Sequence, residues 1–156
     1  MAKEIEKKFL VKSFEWKNQA TGVAYRQGYL STVKERTVRV RTVGEKGFLT
    51  IKGLTVGVTR SEFEYEIPAA DANAMLNELC ERPLIEKNRY KVMHAGLMWE
   101  IDEFFGENNG LIVAEVELQD EHQKIELPAW IGQDISGDPR YFNSNLIKNP
   151  FTKWQP

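Results

Sequence analysis

The feature that most restricts this chain is a two-residue alternation, repeated in segment after segment, in which one parity is ionic and the other apolar. Residues 3–11 place Ile5, Lys7 and Phe9 on one side and Glu4, Glu6 and Lys8 on the other. The ionic parity continues through Arg39 and Arg41, then Thr50 and Lys52, then Arg60, Glu62, Glu64 and Glu66. Lys87, Arg89 and Lys91 follow, then Glu100 and Asp102, and last Glu115 and Glu117. The opposite parity carries Val38, Val40, Leu49, Ile51, Phe63, Tyr65, Trp99, Ile101, Ala114, Val116 and Leu118. Side chains on a β-strand point alternately to its two faces, so this pattern specifies strands with one apolar and one charged face.

The segments 3–11, 24–31, 36–43, 47–52, 60–67, 87–94, 97–105 and 111–119 read as strands, about eight in all. Gly44-Glu45-Lys46-Gly47 and Glu107-Asn108-Asn109-Gly110 are turn signals that make hairpins of their flanking strands. Helix signals are few. Asp71 is placed to cap a helix whose apolar stripe is Ala72, Met75, Leu76 and Leu79. Pro128 to Ile131 reads as a short helical turn, and Asp138 can cap another through Pro139-Arg140-Tyr141-Phe142. Trp130, Tyr141, Phe151 and Trp154 are expected to cover the outer apolar face.

The 156 residues suit a single domain spanning 1–156, and no linker or repeat divides them. With 42% hydrophobic residues the chain can build a core, and its net charge of −2 lacks the positive excess of a bulk nucleic-acid binder. No apolar run is long enough to span a membrane. The start MAKEIEKKFLV has no secretory apolar region. Lone Cys80 excludes an internal disulfide and reads as a buried small hydrophobe, so a reducing cytoplasm is the expected compartment. The exposed remainder of the surface would allow a homodimer, but no residue pattern locates an interface.

A charged sheet face can simply be solvated. Such faces usually mix Thr, Ser and Gln with charge. Here Glu4 and Glu6, Glu62 and Glu64, and Glu115 and Glu117 repeat like charge on one face, at a spacing of about 6.5–7 Å. The other arrangement turns this face inward. About eight curved antiparallel strands can close into a barrel wide enough for one small ligand. A lumen holding both signs is costly unless its charges find partners. A polyanion with divalent cations supplies them: guanidinium and ammonium groups take phosphate oxygens, and carboxylates take Mg²⁺ or Mn²⁺. No P-loop, Rossmann or zinc-ligand pattern is present, and His122 in QDEHQ reads as a surface residue.

The chain also resembles a known family. Glu4-Ile5-Glu6-Lys7-Lys8 is similar to the E-x-E-x-K signature of the CYTH family, also called triphosphate tunnel metalloenzymes. The likeness continues through Tyr29, Arg39-Val40-Arg41, Leu49-Thr50-Ile51-Lys52-Gly53, Glu62-Phe63-Glu64 and Glu86-Lys87-Asn88-Arg89-Tyr90. It extends through Trp99-Glu100-Ile101-Asp102, Ala114-Glu115-Val116-Glu117, Ile135-Ser136-Gly137-Asp138 and Arg140-Tyr141-Phe142-Asn143-Ser144, nearly the whole chain. The resemblance implies a mostly β (α+β) fold: an eight-stranded antiparallel barrel, closed or nearly so, with a few helices outside. It implies a triphosphate in the tunnel and Mg²⁺ or Mn²⁺ as cofactor. It points most closely to compact bacterial inorganic triphosphatases, which form pyrophosphate and phosphate. The alternatives are a thiamine triphosphatase, a class IV-type adenylate cyclase or another organic triphosphate enzyme, and a non-catalytic polyphosphate-binding module.

By the same resemblance, Lys8, Arg39, Arg41, Lys52, Lys87 and Arg89 should hold the phosphate chain. Glu4, Glu6, Glu62, Glu64, Asp102, Glu115 and Glu117 are the metal candidates, with Glu62 or Glu64 able instead to fix arginines and Asp102 to orient. The likeness also points to Tyr29 beside Lys87 for activating water. Phenols titrate near 10, so such a residue deprotonates water poorly at neutral pH unless cations favour the phenolate. A carboxylate of the Glu115–Glu117 pair or metal-bound hydroxide could do the same job; the expectation for Tyr29 is that it orients the water. Arg60 sits where it could reach a phosphate from the rim, while Lys91 and Glu66 read as solvated.

Overall fold

Each expected strand is present in the computed structural model, which describes residues 3–154, with ends shifted by a residue or two. They are β1 (Lys3–Val11), β2 (Val23–Ser31), β3 (Arg36–Val43), β4 (Lys46–Gly53), β5 (Thr59–Ile67), β6 (Ile85–His94), β7 (Leu97–Phe104) and β8 (Ile112–Glu117). A further short strand, β9, runs over Ile131–Asp134. Pro128–Ile131 closes the expected single turn, Ile131 N–H donating to the Pro128 carbonyl at 3.1 Å, and delivers the chain into this unexpected strand, which pairs Ile131 with Val11 and Asp134 with Phe9. Four residues are too short for alternation to signal a strand; the edge offered by β1 decides it.

Neighbours run β5-β4-β3-β2-β6-β7-β8-β1-β9, all antiparallel, and β5 returns to pair with β1. That last pairing closes β1–β8 into a barrel, with β9 added to the outside of the β1 register. The closing seam is short: Lys3 faces Ser61, Glu4 faces Arg60 and Ile5 faces Thr59. The β3–β4 turn is tight, with Val43 opposite Lys46 and Gly44 at φ +60°, a conformation that favours glycine.

Apolar residues of the outward parity are covered on two arcs. Over β6, β7, β8 and β1, the residues Phe9, Val92, Trp99, Ile101, Ala114 and Val116 pack beneath Trp16 and Trp130. Trp99 lies 5.7 Å from Phe9 and 5.9 Å from Trp130, ring centre to ring centre. Over β3 and β4, helix α1 (Ala69–Glu78) lays Ala72 and Leu76 on Val40 and Leu49, with Cys80 buried beside them. Asp71 lies inside the first turn of α1 rather than capping it, because the chain enters the helix through Pro68 in extended conformation. Asp138 does cap the turn that follows it, accepting from the Arg140 backbone N–H. Between these arcs Ile51, Phe63 and Tyr65 stay exposed.

Tyr141, Phe151 and Trp154 do not cover the outer wall. They join helix α2 (Asn143–Lys148) and the inward-facing Ile85, Phe104 and Val113 in a second cluster. This apolar stopper fills one end of the barrel and confines the charged part of the lumen to the rest. Among the described residues no helix is long and apolar enough to cross a membrane.

Candidate active site

The ionic parity faces inward. Glu4, Glu6, Lys8, Tyr29, Arg39, Arg41, Lys52, Arg60, Glu62, Glu64, Lys87, Arg89, Glu100, Glu115 and Glu117 all line one chamber of about 190 Å³. The barrel thus brings together side chains from all eight of its strands, residues that the sequence separates by more than a hundred positions. Of the residues expected at the site, Asp102 alone is off the chamber wall, fully buried behind it.

The charges are not mixed at random. Strand register sets Glu6 opposite Glu117 and Lys8 opposite Glu115 across β1 and β8, and sets Glu100 opposite Glu115 across β7 and β8. This arc is acidic. Arg39 and Arg41 on β3, with Lys87 and Arg89 on β6, flank β2 and form a basic arc. Lys8 and Lys52 stand among the acids.

Contacts within the basic arc fix the cations rather than neutralise them. Asp102 accepts from Arg89 Nε at 2.7 Å and from its Nη2 at 2.9 Å, and it pairs with Lys87 Nζ at 2.7 Å. These cations hold its carboxyl far below the ordinary range despite complete burial. Its oxygens are spent, so it orients Lys87 and Arg89 and is not free for a metal. Burial brings the Lys87 ammonium down to about 8, with Asp102 opposing that shift. Glu64 accepts from Thr50 at 2.7 Å and pairs with Arg41 at 3.2 Å and Arg39 at 3.5 Å. It fixes the arginines.

On the acidic side, Lys52 bridges Glu4 at 2.9 Å and Glu62 at 3.2 Å. Burial would raise Glu4, but Lys52 outweighs it and holds the carboxyl at about 2. Glu6 goes the other way: burial and the neighbouring Glu115 push it up to about 8, although Lys8 lies 3.7 Å away. Glu117 is also raised, by burial and then by Glu4 and Glu100. Lys8 reaches Glu115 at 3.9 Å and sits 5.5 Å from the Phe142 ring centre.

Among the described residues, no three carboxylate, histidine or cysteine side chains form a ready metal-ligand group. The carboxylates of Glu4, Glu6, Glu62, Glu64, Glu100, Asp102 and Glu115 face lysine or arginine partners instead. The donor set nevertheless suits a hard divalent cation, because it is all oxygen and places like charges opposite one another. Glu6, raised by burial and then by the neighbouring Glu115, would gain from added positive charge there.

Tyr29 is buried and shares the chamber with Lys87, but the Lys87 ammonium is held by Asp102 and by Asn143 Oδ1 at 3.3 Å. Asn143, Phe142 and Ser144 come from α2 and its entry, beyond the reach of strand parity. Gln27, fully buried, donates to the same Asn143 oxygen at 3.0 Å. Its parity with Tyr29 was the available signal. Arg60 also lines the wall, donating to Thr37 at 3.2 Å. Lys91 and Glu66 are exposed, as expected.

A family model described as CYTH domain matches residues 2–147. A protein of Acetivibrio thermocellus named inorganic triphosphatase is 54% identical over 155 residues, covering 99% of both chains. One of the same name from Nitrosomonas europaea is 35% identical over 147 residues, covering 92% of this chain and 95% of its own. Among solved structures, a crystal structure of an inorganic triphosphatase superposes with a TM-score of 0.67 at 31% identity, covering 92% of this chain and 96% of that one.

Proposed function

The chain belongs to the CYTH family, and from that premise we propose that it hydrolyses inorganic triphosphate to pyrophosphate and phosphate inside its barrel, with Mg²⁺ or Mn²⁺. The observation that carries this reading is the division of one enclosed wall into a basic and an acidic arc. Phosphoryl transfer needs little covalent help from the protein; it needs the chain of phosphates positioned and its charge compensated. Arg39, Arg41, Lys52, Arg89 and Lys8 supply that compensation, and Arg60 extends it towards the mouth. Lys87, brought down to about 8 by burial, remains charged at neutral pH and adds to that compensation on the chamber wall it shares with Tyr29. In this reading Tyr29, on the chamber wall, orients the attacking water.

Glu6, Glu115 and Glu117, with Glu4 beside them, would hold a divalent ion. When bound, such an ion supplies further charge neutralisation at the phosphate oxygens. Glu64 and Asp102 serve as orienting carboxylates in this scheme, and Glu62 tethers Lys52.

A second reading has its own observation. A wider cavity of about 530 Å³, with Leu54, Pro139 and Phe142 in its lining, adjoins the chamber through Thr37, Arg60 and Ser144. It has room for the organic part of an organic triphosphate. A phosphate-release panel separates the two. Tripolyphosphate, thiamine triphosphate, ATP and pyrophosphate are each supplied with Mg²⁺ and with Mn²⁺, and ATP products are identified. Preference for tripolyphosphate supports the first reading. A larger kcat/KM for an organic substrate supports the second, and tight binding without released phosphate refutes both.

A further inference from the structure

Tyr25 lies on β2 with the same inward parity as Gln27 and Tyr29, and it is 7% exposed. Two guanidinium groups meet its ring. Arg89 lies 5.0 Å from the ring centre and Arg41 lies 5.3 Å from it. Arg41 also sits 5.6 Å from the Phe48 ring centre. Arg89 lines both the main chamber and a separate cavity of about 310 Å³ beyond it, whereas Tyr25 lines only the latter. The ring is therefore behind the guanidinium groups, away from the side that faces the chamber.

This placement answers a physical difficulty. Arg39, Arg41 and Arg89 are like charges gathered where water is scarce, and they repel one another. Burial and the neighbouring Arg39 and Arg89 hold Arg41 below the usual arginine range. A carboxylate set between Arg41 and Arg89 would hold them together, but it would also repel the anion they are meant to receive. An aromatic face attracts cations through its quadrupole and carries no net charge. We propose that Tyr25 is a positioning residue for triphosphate, its ring clamping Arg41 and Arg89 side by side without adding negative charge to the phosphate site. The inference rests on reading the chamber as a triphosphate site.

The test uses the full chain and tripolyphosphate, with binding measured calorimetrically in EDTA and turnover measured with Mg²⁺. Tyr25→Phe keeps the ring and should bind within about twofold of the unaltered protein, while Tyr25→Leu should bind about tenfold more weakly. KM should rise more than kcat falls. Should Tyr25→Leu fail to fold, a series of phenylalanine analogues at position 25 with none, one, three and five ring fluorines keeps the shape and drains the quadrupole. Affinity should fall step by step along that series with little change in Tm. A flat series, or Tyr25→Phe as weak as Tyr25→Leu, overturns the clamp while leaving the proposed function standing. An unaltered protein that neither binds nor cleaves tripolyphosphate overturns both.

Discussion

Adding a divalent cation to the metal-free protein at pH 7 should release close to one proton, and Glu6 should be its source. Glu6 is pushed up to about 8 by burial and by Glu115, which shares Lys8 with it. A carboxyl titrating there is roughly 0.9 protonated at pH 7 and roughly 0.1 protonated at pH 9. A metal ion binds the carboxylate form only, so the proton must leave. Calorimetric titration with Mn²⁺ in two buffers of different ionisation enthalpy counts it. The expected count is about 0.9 at pH 7, falling to about 0.1 at pH 9. Glu6→Gln should remove most of the release at pH 7. The same group sets a stability trend without metal. Its folded value lies above the unfolded one, so between about pH 4.5 and 8 the folded state binds more protons. Stability from this group therefore falls as pH rises through that window, by on the order of 1 kcal/mol per pH unit. Glu6→Gln should flatten that slope. Equal proton counts at pH 7 and pH 9, or a full count from Glu6→Gln, would refute the reasoning.

Asp102→Asn leaves the buried Lys87 and Arg89 without their shared counter-charge; unfolding in denaturant should show a loss of about 3–5 kcal/mol, and a loss under about 1 kcal/mol would mean that the pair is not buried as described. Tyr29→Phe should lower kcat at least about tenfold with little change in tripolyphosphate binding, and unchanged turnover across pH would remove Tyr29 from the reaction. Arg41→Gln should weaken tripolyphosphate binding in EDTA, while Glu115→Gln should leave that binding largely intact and raise the Mn²⁺ needed for half-maximal activity. Equal losses from both substitutions in both conditions would erase the division into basic and acidic arcs.

The long strands were legible because each carries enough alternating residues to fix its parity. The crowding of Glu4, Glu6, Glu62, Glu64, Glu115 and Glu117 on one face argued against a solvated sheet, and the resemblance to the CYTH family selected the inward direction. What parity could not give was depth. Asp102 shares the parity of Glu100, yet it lies behind the wall because Lys87 and Arg89 reach back to it. β9 was missed because Ile131–Asp134 is defined by the free edge of β1, a non-local fact. The destination of Tyr141 and Trp154 was misread for a related reason. Both are large and apolar and would fit either face, and only the presence of Ile85, Phe104 and Val113 at the end of the lumen decides between stopper and outer cover. Asn143 reaches Lys87 from a helix far along the chain, and no strand periodicity could place it.

The acidic arc is the part of the wall that folding alone does not explain. Residues directly opposite on adjacent strands interact most strongly, and like charges there are destabilising. Yet Glu6 faces Glu117 and Glu100 faces Glu115. A single Lys or Thr in place of either partner would relieve each pair, and β4 shows that this sheet accommodates Thr on its inner face, where Thr50 pairs with Glu64. The basic arc has a comparable excess, since Arg39 and Arg41 share one carboxylate. Arg89 links the two arcs where β6 meets β7, pairing with Glu100 at 3.2 Å and Glu115 at 3.7 Å, yet Glu6 against Glu117 and Arg39 beside Arg41 leave an excess of one sign on each side. A metal ion relieves one arc and a phosphate chain the other, and the ion relieves the chain. Binding of either ligand should then strengthen binding of the other by the same factor, which ties the placement of charge in this barrel to a substrate that arrives with its cation.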